Sequence, residues 1–187
     1  MKTFSMQHPE KGEIAYTDRK RYLWISALFF PLVALSGIGL YSLNGSEWSF
    51  VVPLVLFYGG TALFDWLLGE DTSNPPEELV PQLEADAYYR WLPILTVPMH
   101  FAVLIAVAWF AGAHDVSWPA LLALALTAGL YSGIGVNTAH ELGHKKSDLE
   151  RWMARIVSAV PAYGHFCVEH NRGHHRHVAT PADPASS

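Results

Sequence analysis

The chain has 187 residues, of which 51% are hydrophobic and 16% charged, and its formal net charge at pH 7 is −5. The hydrophobic residues stand in long blocks, each exceeding the roughly 18–20 residues that cross about 30 Å of hydrocarbon. A soluble core needs no such blocks, so the composition excludes an ordinary soluble domain. We predict an all-α fold, a polytopic membrane helix bundle in contact with lipid, and no nucleic-acid partner.

Four membrane-spanning helices are predicted in chain order, after a polar tail over residues 1–21. The predicted spans are residues 22–43, 49–68, 91–112 and 118–139. The first span follows a polar tail and is too long for the hydrophobic region of a signal peptide, so we expect it to remain as an anchor. Residues 140–187 are predicted to complete a single membrane domain as a metal-binding segment.

The basic residues predict how this bundle is oriented. All twelve Lys and Arg residues lie in the tail, in the 69–90 loop or after His140, and the loops 44–48 and 114–117 contain none. Because Lys and Arg accumulate in cytoplasmic loops, the N-terminus and the segment after His140 are predicted to face the cytoplasm. The 69–90 loop is acidic and is interpreted either as a solvated loop or as a docking face for a soluble partner.

A short helix is predicted after the fourth span. Residues 151–160 place apolar and polar side chains on opposite faces, which is typical of an amphipathic helix lying in the membrane interface. The uncharged stretch 156–168 is too short to cross the bilayer. The chain is therefore expected to return to the side that it left, through an interfacial or re-entrant helix.

Two histidine clusters flank this helix and carry the functional prediction. They are His140-Glu141-Leu142-Gly143-His144 and His170-Asn171-Arg172-Gly173-His174-His175. Residues four apart share a helix face, so His140 is expected to pair with His144, and His170 with His174. His175 would point about 100° away, toward a different metal. Imidazole is the commonest protein ligand of redox metals, so all five histidines are predicted ligands at the cytoplasmic end.

The first cluster alone permits another interpretation. Residues 140–144 satisfy the H-E-x-x-H pattern, in which two histidines bind zinc and the glutamate is the base of a metalloprotease. A catalytic zinc site needs three protein ligands and an open position, and five clustered histidines exceed that number. The surplus favours two metal ions, with iron preferred, although a membrane zinc protease stays open.

Several further residues are candidates for positions around the metal ligands. Ligating imidazoles usually donate their second N–H to a carboxylate or carbonyl, so Glu141, Glu169 and Asp65 are candidates for orienting the ligand histidines. Asp65 alternatively extends into the 69–90 loop. His165 and His177 are interpreted as surface residues or as outer partners of the ligands.

His100 and Cys167 are interpreted separately from the clusters. His100 lies near mid-membrane in the third span, where ionisable groups are candidates for function. The favoured interpretation is a neutral ring that bonds to backbone groups left unpaired by Pro98. Cys167 is the only cysteine, and we interpret it as a packing residue.

Longer strings around these residues resemble a known family. They are His-Glu-Leu-Gly-His-Lys-Lys at 140–146, Glu-His-Asn-Arg-Gly-His-His at 169–175 and Val-Ala-Thr-Pro-Ala-Asp-Pro-Ala-Ser-Ser at 178–187. Further likeness comes from Asp-Trp-Leu-Leu-Gly-Glu-Asp at 65–71, Asn-Pro-Pro at 74–76 and Thr-Val-Pro-Met-His at 96–100. Together the strings resemble the alkane 1-monooxygenases, which are integral-membrane, non-haem di-iron alkane hydroxylases.

The resemblance implies an activity, cofactors and partners. It implies hydroxylation of the terminal methyl group of medium-chain n-alkanes to 1-alkanols, with O2, at two non-haem iron ions bound by the five histidines. It also implies rubredoxin as the electron donor, reduced by rubredoxin reductase, and a place in the bacterial cytoplasmic (inner) membrane. The family has a third histidine box, a His-Tyr-Gly motif and two more helices downstream. We therefore expect the chain to correspond to an N-terminal portion and to be inactive alone.

Phe57 is the candidate for the substrate channel. Burial of each CH2 group is worth about 0.8 kcal/mol, so a large ring near the end of the channel would limit the chain length accepted. Packing against lipid is the alternative interpretation of this residue. Two alternatives for the whole chain also stay open: a fatty-acyl desaturase or hydroxylase of the same histidine-box group, and an inactive fragment that folds as a membrane subdomain.

Overall fold

The computed structural model describes residues 1–183 and 185, and most of them are helical. Four helices are long and apolar enough to cross a membrane: α1 (Arg21–Asn44), α2 (Glu47–Leu68), α4 (Ala87–Ala113) and α5 (Trp118–Gly143). The shorter elements are β1 (Lys2–His8), β2 (Gly12–Asp18), α3 (77–84), α6 (Asp148–Ser158) and α7 (166–177). The predicted helical membrane bundle with four spans is confirmed. Of the string at 178–187, Pro184, Ser186 and Ser187 lie outside the described residues.

The ends of the long helices differ from the predicted bounds for local reasons. The helix α4 begins at Ala87 because Asp86 caps it, with the Asp86 carboxylate accepting a 2.9 Å hydrogen bond from Tyr88 N. The helix α5 continues to Gly143 and so includes His140. Within α1, residues Phe30–Leu35 around Pro31 form a 3₁₀ helix, which is the local adjustment that a proline imposes inside a span.

The N-terminal segment is a β-hairpin, so the predicted polar tail is wrong in this respect. The strands pair antiparallel, with Phe4 opposite Tyr16 and Met6 opposite Ile14. These apolar residues alternate with polar ones, which is the period-2 pattern of a half-buried strand. Phe4 is buried, and both strands contact residues 77–79 at the start of α3. The hairpin is therefore a folded element attached to the bundle.

The helices α1 and α2 form an antiparallel pair, and a glycine allows their close approach. A Cβ atom at Gly37 would lie 3.0 Å from the Ser49 carbonyl oxygen and 3.1 Å from Phe50 Cα. Small residues at such contacts are typical of membrane bundles. At the same end of the bundle, Ser117 N donates a 2.9 Å hydrogen bond to the Glu47 carboxylate, which joins the two loops that lack basic residues.

Two clusters of buried residues fill the bundle at different heights. The cluster on the side of the loops without basic residues includes Ala34, Phe50, Val103, Val107, Phe110, Leu124 and Tyr131. The cluster at the histidine end consists of Ile94, Val97, Ala139, Leu142, Ala154 and Val157. Large side chains on α2, such as Leu63, Phe64 and Trp66, are exposed, which is typical of a face that contacts lipid.

Ion pairs tie the acidic 69–90 loop to the rest of the protein. Its exposed pairs are Lys11–Glu78, Lys20–Asp71 and Lys145–Glu84. The buried Asp86 carboxylate accepts two hydrogen bonds of 2.9 Å from the Arg21 guanidinium and one of 2.7 Å from Lys2 Nζ. Asp71, Glu78 and Asp86 thus attach the hairpin and the residues after it to the bundle, and Glu84 joins this loop to the segment after α5.

Candidate metal centre

The end of α5 positions the first two histidines. His140 lies in the last turn of α5 and His144 is its C-terminal cap, one turn further along the same face. Their Nε2 atoms are 3.2 Å apart. The i, i+4 pairing expected from the sequence is therefore confirmed.

The helix α6 returns the chain to this end of the bundle. Ala154 and Val157 are fully buried against α4 and α5, whereas Trp152 and Ile156 are exposed. The buried Glu150 carboxylate accepts a 2.5 Å hydrogen bond from Arg90 Nε of α4, which fixes the direction of α6. The expected return of the chain is confirmed, while the place of α6 in a membrane interface stays a prediction.

The helix α7 brings the second cluster against the first. Cys167 packs in the buried cluster near α5, and Asn171 Nδ2 donates a 3.2 Å hydrogen bond to the Gly143 carbonyl oxygen. As a result His170 Nε2 lies 3.3 Å from His144 Nε2. Nitrogen atoms of His140, His144 and His170 all lie within 4.8 Å of one another. Three ligand atoms from two distant segments thus converge on one point.

A π-helical turn changes which histidine of the second cluster joins this point. Residues Glu169–His174 of α7 are π-helical, so residues five apart lie above one another. His175 Nε2 is consequently 3.0 Å from His170 Nε2. The expectation that His175 points away from a face shared by His170 and His174 is wrong, because it assumed a regular α-helix.

His174 adjoins the group but has a different partner. Its ring lies 5.6 Å from the ring of His170 and 5.5 Å from that of His175, measured between centroids. Its Nδ1 atom lies 2.9 and 3.0 Å from the two carboxylate oxygens of Asp183. The Asp183 side chain is fully buried. Nδ1 of His174 is therefore engaged, and Nε2 is the nitrogen left for a metal.

The separations between consecutive Nε2 atoms, from His140 through His144 and His170 to His175, are those expected of neighbouring metal ligands. Metal–nitrogen bonds of about 2.1 Å in tetrahedral or octahedral coordination separate neighbouring ligand atoms by roughly 3.0–3.4 Å. The observed separations of 3.0, 3.2 and 3.3 Å match that range. A set of imidazoles suits iron, zinc or copper, so the residues present can hold such an ion.

The electrostatics of the group favour the form of histidine that binds metal. Burial first, and then the neighbouring histidines with His140 and His175 the foremost, lower the pKa of His170 to about 4. Burial and the same neighbours also lower the pKa of His144. Both rings are accordingly neutral at pH 7, and a neutral ring has the lone pair that coordination requires.

The carboxylates expected around the ligands lie elsewhere. Glu169 accepts a 2.6 Å hydrogen bond from Tyr163 Oη and lies 3.3 Å from His165 Nε2, with no ligand histidine as its partner among the described residues. Glu141 and Asp65 are exposed, and neither has a hydrogen bond from its side chain within the described part of the chain. Their orienting roles stay predictions. His177 lies at the end of α7, where its carbonyl oxygen accepts from Thr180 N at 3.0 Å.

Two residues from the membrane spans have defined surroundings. The ring of Phe57 lies 5.9 Å from the rings of both Phe30 and Tyr131 and packs on the buried cluster, so it faces the bundle. It belongs to a second π-helical segment, Leu56–Gly60. His100 is buried, and its Nε2 lies 3.4 Å from Thr138 Oγ1 of α5. This contact replaces the bond to backbone groups near Pro98 that the sequence suggested.

Sequence reasoning missed Asp183 and the Arg90–Glu150 pair. Asp183 follows His174 by nine positions in a stretch without helical periodicity, so no spacing rule connected the two. The signal available was a carboxylate within the same string as the ligands. Arg90 and Glu150 are far apart in sequence, and only the packing of α6 on α4 brings them together.

Comparisons with known proteins agree with this geometry. The model of the Fatty acid desaturase family matches residues 116–187, which contain all five predicted ligands. Two relatives named Alkane 1-monooxygenase, from Ectopseudomonas oleovorans and Pseudomonas putida, are each 52% identical over 92% of this chain. Alkane 1-monooxygenase 1 from Alcanivorax borkumensis is also 52% identical over 92% of the chain. The chain spans about 43% of the length of these relatives.

The described residues form four helices that are long and apolar enough to cross a membrane, and histidines from two segments converge at one end. These features define a class of multi-pass membrane proteins that includes the desaturase family. Within that class, the chain is similar over 92% of its length to relatives named alkane 1-monooxygenase. The predicted resemblance is thereby confirmed.

Proposed function

We propose that the complete protein hydroxylates the terminal methyl group of medium-chain n-alkanes with O2, and that this chain supplies part of its iron site. The single observation that carries the proposal is the convergence of nitrogen atoms from His140, His144 and His170, with His175 Nε2 beside that of His170, in a chain similar to alkane 1-monooxygenases. Unactivated C–H bonds need a metal-derived oxidant from O2, which bound iron supplies.

The chain's own residues have distinct tasks in this proposal. His140, His144, His170 and His175, with His174 beside them, hold iron as neutral imidazoles at one end of α5 and α7. A catalytic metal ion typically has about three protein ligands, so two iron ions would require ligands in addition to these five histidines. The buried side chains of Ile94, Val97 and Leu142 form an apolar cluster at the same end of the bundle as the histidines.

The bundle interior offers a path for the alkane. A hydrocarbon dissolves in the bilayer and enters laterally between helices, and the exposed apolar face of α2 is the natural side of entry. The ring of Phe57 contacts Tyr131, which lies nine residues before His140 on α5. That separation is about 14 Å at 1.5 Å per residue, comparable with the length of a medium-chain alkane. Phe57 would thus limit the channel at the end remote from the histidines.

The orientation and the electron donor complete the proposal. Every Lys and Arg residue lies at the histidine end or in segments attached to it, and by the positive-inside rule this supports a cytoplasmic orientation of that end in a bacterium. A soluble donor such as rubredoxin, reduced by rubredoxin reductase, would then reach the iron site from the cytoplasm. This chain contains one cysteine, Cys167, which cannot by itself form a cysteine-based electron-transfer site, and this supports a separate donor.

The decisive experiment uses the complete protein in membranes with n-octane, labelled O2, rubredoxin, its reductase and NAD(P)H. We expect 1-octanol that carries one labelled oxygen atom, and about two iron ions per protein. A His170→Ala variant should lose both product and iron. A preparation that binds one zinc ion and yields no alcohol would contradict the proposal.

A fatty-acyl chain is the second candidate substrate, favoured by the match of residues 116–187 to the Fatty acid desaturase model. The same membranes can be supplied with labelled acyl lipids and examined for new double bonds or hydroxyl groups. Acyl products without 1-octanol would favour this second candidate.

A further inference from the structure

The segment after α7 carries a buried carboxylate directed at a histidine of the centre. Asp183 Oδ2 and Oδ1 lie 2.9 and 3.0 Å from Nδ1 of His174. The Asp183 side chain has no exposed surface, whereas the side chain of His174 is 30% exposed. The exposed carboxylates beside the ligands, Glu141 and Glu169, make no such contact with a ligand histidine.

The local backbone holds Asp183 in this place. Asp183 Oδ1 accepts a 2.9 Å hydrogen bond from Ala185 N, and Asp183 N donates a 3.1 Å bond to the Thr180 carbonyl oxygen. Ala179 has a positive φ of 61°, which reverses the chain direction after α7. Burial of a carboxylate is costly in free energy unless the carboxylate is hydrogen-bonded. The turn and the contact between Asp183 and His174 therefore stabilise each other.

The contact has a chemical consequence for His174. A carboxylate accepts hydrogen bonds and cannot donate them, so Nδ1 of His174 carries the proton. The lone pair of the neutral ring is then on Nε2, and the ring orientation is fixed. Hydrogen bonding of this kind also makes a ligating imidazole more basic.

We propose that Asp183 is a positioning residue that commits Nε2 of His174 to the metal centre by fixing the ring and its tautomer. The inference rests on the proposed function insofar as it takes iron as the bound metal. It adds a specific task for the string at 178–183, which contributes no ligand of its own. In the π-helical turn, His175 and not His174 has its Nε2 atom next to that of His170. The contact with Asp183 explains how His174 can still bind at the centre.

The test measures Fe(II) binding by the complete, metal-depleted protein for the wild type, Asp183→Asn, Asp183→Ala and His174→Ala. Asp183→Asn keeps an oxygen that can accept from Ala185 N, so the turn is retained while the charge is removed. Loss of such an outer partner typically lowers metal affinity about 10–100-fold. We expect Asp183→Ala near the upper end of that range and Asp183→Asn near the lower end. Asp148→Asn, at an exposed carboxylate whose partner is Arg151, should change nothing.

A double-mutant cycle separates positioning from mere support of the fold. If Asp183 acts through His174, then Asp183→Asn in a His174→Ala background should cause no further loss of affinity. Losses that multiply in the double variant would overturn the inference, as would wild-type affinity in Asp183→Ala. Since Asp183→Ala can disturb the turn, the cycle uses Asp183→Asn, and the unfolding temperature of each variant checks the fold.

The outcomes distinguish this inference from the proposed function. If the wild type binds zinc and not iron, the proposed function fails, and the same cycle with Zn(II) still tests Asp183. If iron binding and hydroxylation are present but the cycle shows independent effects, only the role of Asp183 fails.

Discussion

The Nε2 atoms of His170 and His175 lie 3.0 Å apart, although the two residues are five positions apart on one helix. A regular α-helix would turn His175 well away from His170, and the π-helical turn Glu169–His174 removes that offset. Turns of π-helix are rare in proteins, and those that do occur are frequently at functional sites. This turn is therefore best understood as part of the metal centre. It places His175 beside the group of His140, His144 and His170, as a further candidate ligand.

Replacement of His175 by Ala in the complete protein should lower its iron content. The loss removes a nitrogen atom that lies 3.0 Å from His170 Nε2, and we expect iron affinity to fall about tenfold or more, at least as much as after loss of an outer partner. Iron per protein, measured on purified samples, gives the result. The matched control is His165→Ala, because His165 is exposed and pairs with Glu169. Equal iron content in the two variants would argue against a role for His175.

Replacement of Phe57 by Ala should lengthen the alkane that the complete protein prefers. The ring lies between Phe30 and Tyr131 inside the bundle, so its removal opens space along the proposed channel. Each additional buried CH2 group is worth about 0.8 kcal/mol, or about fourfold in relative rate. Competition among n-alkanes of increasing length measures the shift. Tyr58→Ala is the control, because Tyr58 is exposed beside it, and an unchanged profile for Phe57→Ala would remove that ring from the channel.

The buried pair of Arg21 and Asp86 should stabilise the fold in a pH-dependent way. Hydrogen bonds from the Arg21 guanidinium hold the pKa of the Asp86 carboxyl well below its usual range. The contribution is thus complete above the unfolded value of about 3.9 and is lost as the pH falls through the lower folded value. Asp86→Asn should reduce the free energy of unfolding by about 3 kcal/mol at pH 7, the cost of breaking a buried pair.

Unfolding in detergent at several pH values checks this prediction. The difference between Asp86→Asn and the wild type should shrink once the pH falls below about 4. Asp148→Asn removes an exposed carboxylate and should leave stability unchanged throughout. A difference that is constant with pH would show that the charge of Asp86 is not what stabilises the fold.

The pair of Arg90 and Glu150 should control the distance between the two histidine clusters. It joins α4 to α6, and α6 carries the chain to α7, so Glu150→Gln should loosen α7 relative to α5. Spin labels on exposed positions of the two helices would report a broader distance distribution than in the wild type. An unchanged distribution would mean that the buried contacts of Ala154 and Val157 suffice.

Cysteine labelling tests the orientation in intact cells. In a Cys167→Ser background, Ser46→Cys lies in a loop without basic residues, and Lys146→Cys lies next to the histidine end. By the positive-inside rule, an impermeant reagent should label the first variant directly and the second only after permeabilisation. The opposite pattern would place the histidine clusters outside the cytoplasm.

The membrane helices could be predicted from sequence because long uncharged blocks have few other stable forms. Residues 22–43 and 118–139, for example, satisfy the length requirement by themselves, and the observed helices extend them by only a few residues. The convergence of the clusters also followed from topology, because the stretch 156–168 is too short to cross. These inferences depend on the bilayer, which constrains local structure strongly.

The errors arose where the outcome depends on contacts between distant segments. The hairpin has a period-2 pattern in Phe4, Met6, Ile14 and Tyr16. Its charged residues nevertheless gave it the composition of a solvated tail, because the sequence does not show that Lys2 pairs with the buried Asp86. The π-helical turn before His175 leaves no mark in hydrophobic periodicity. Asp183 could not be paired with His174 because the turn between them is irregular.

The contacts that attach the hairpin differ in how far water reaches them. Lys11–Glu78 and Lys20–Asp71 are exposed, whereas Asp86 is almost completely enclosed. Dissolved electrolyte screens exposed charges over about 8 Å at 0.15 M and leaves enclosed ones largely unaffected. A higher salt concentration should therefore weaken the attachment of the hairpin turn at Lys11. The ends of the hairpin, at Lys2 and next to Arg21, should stay bound to Asp86.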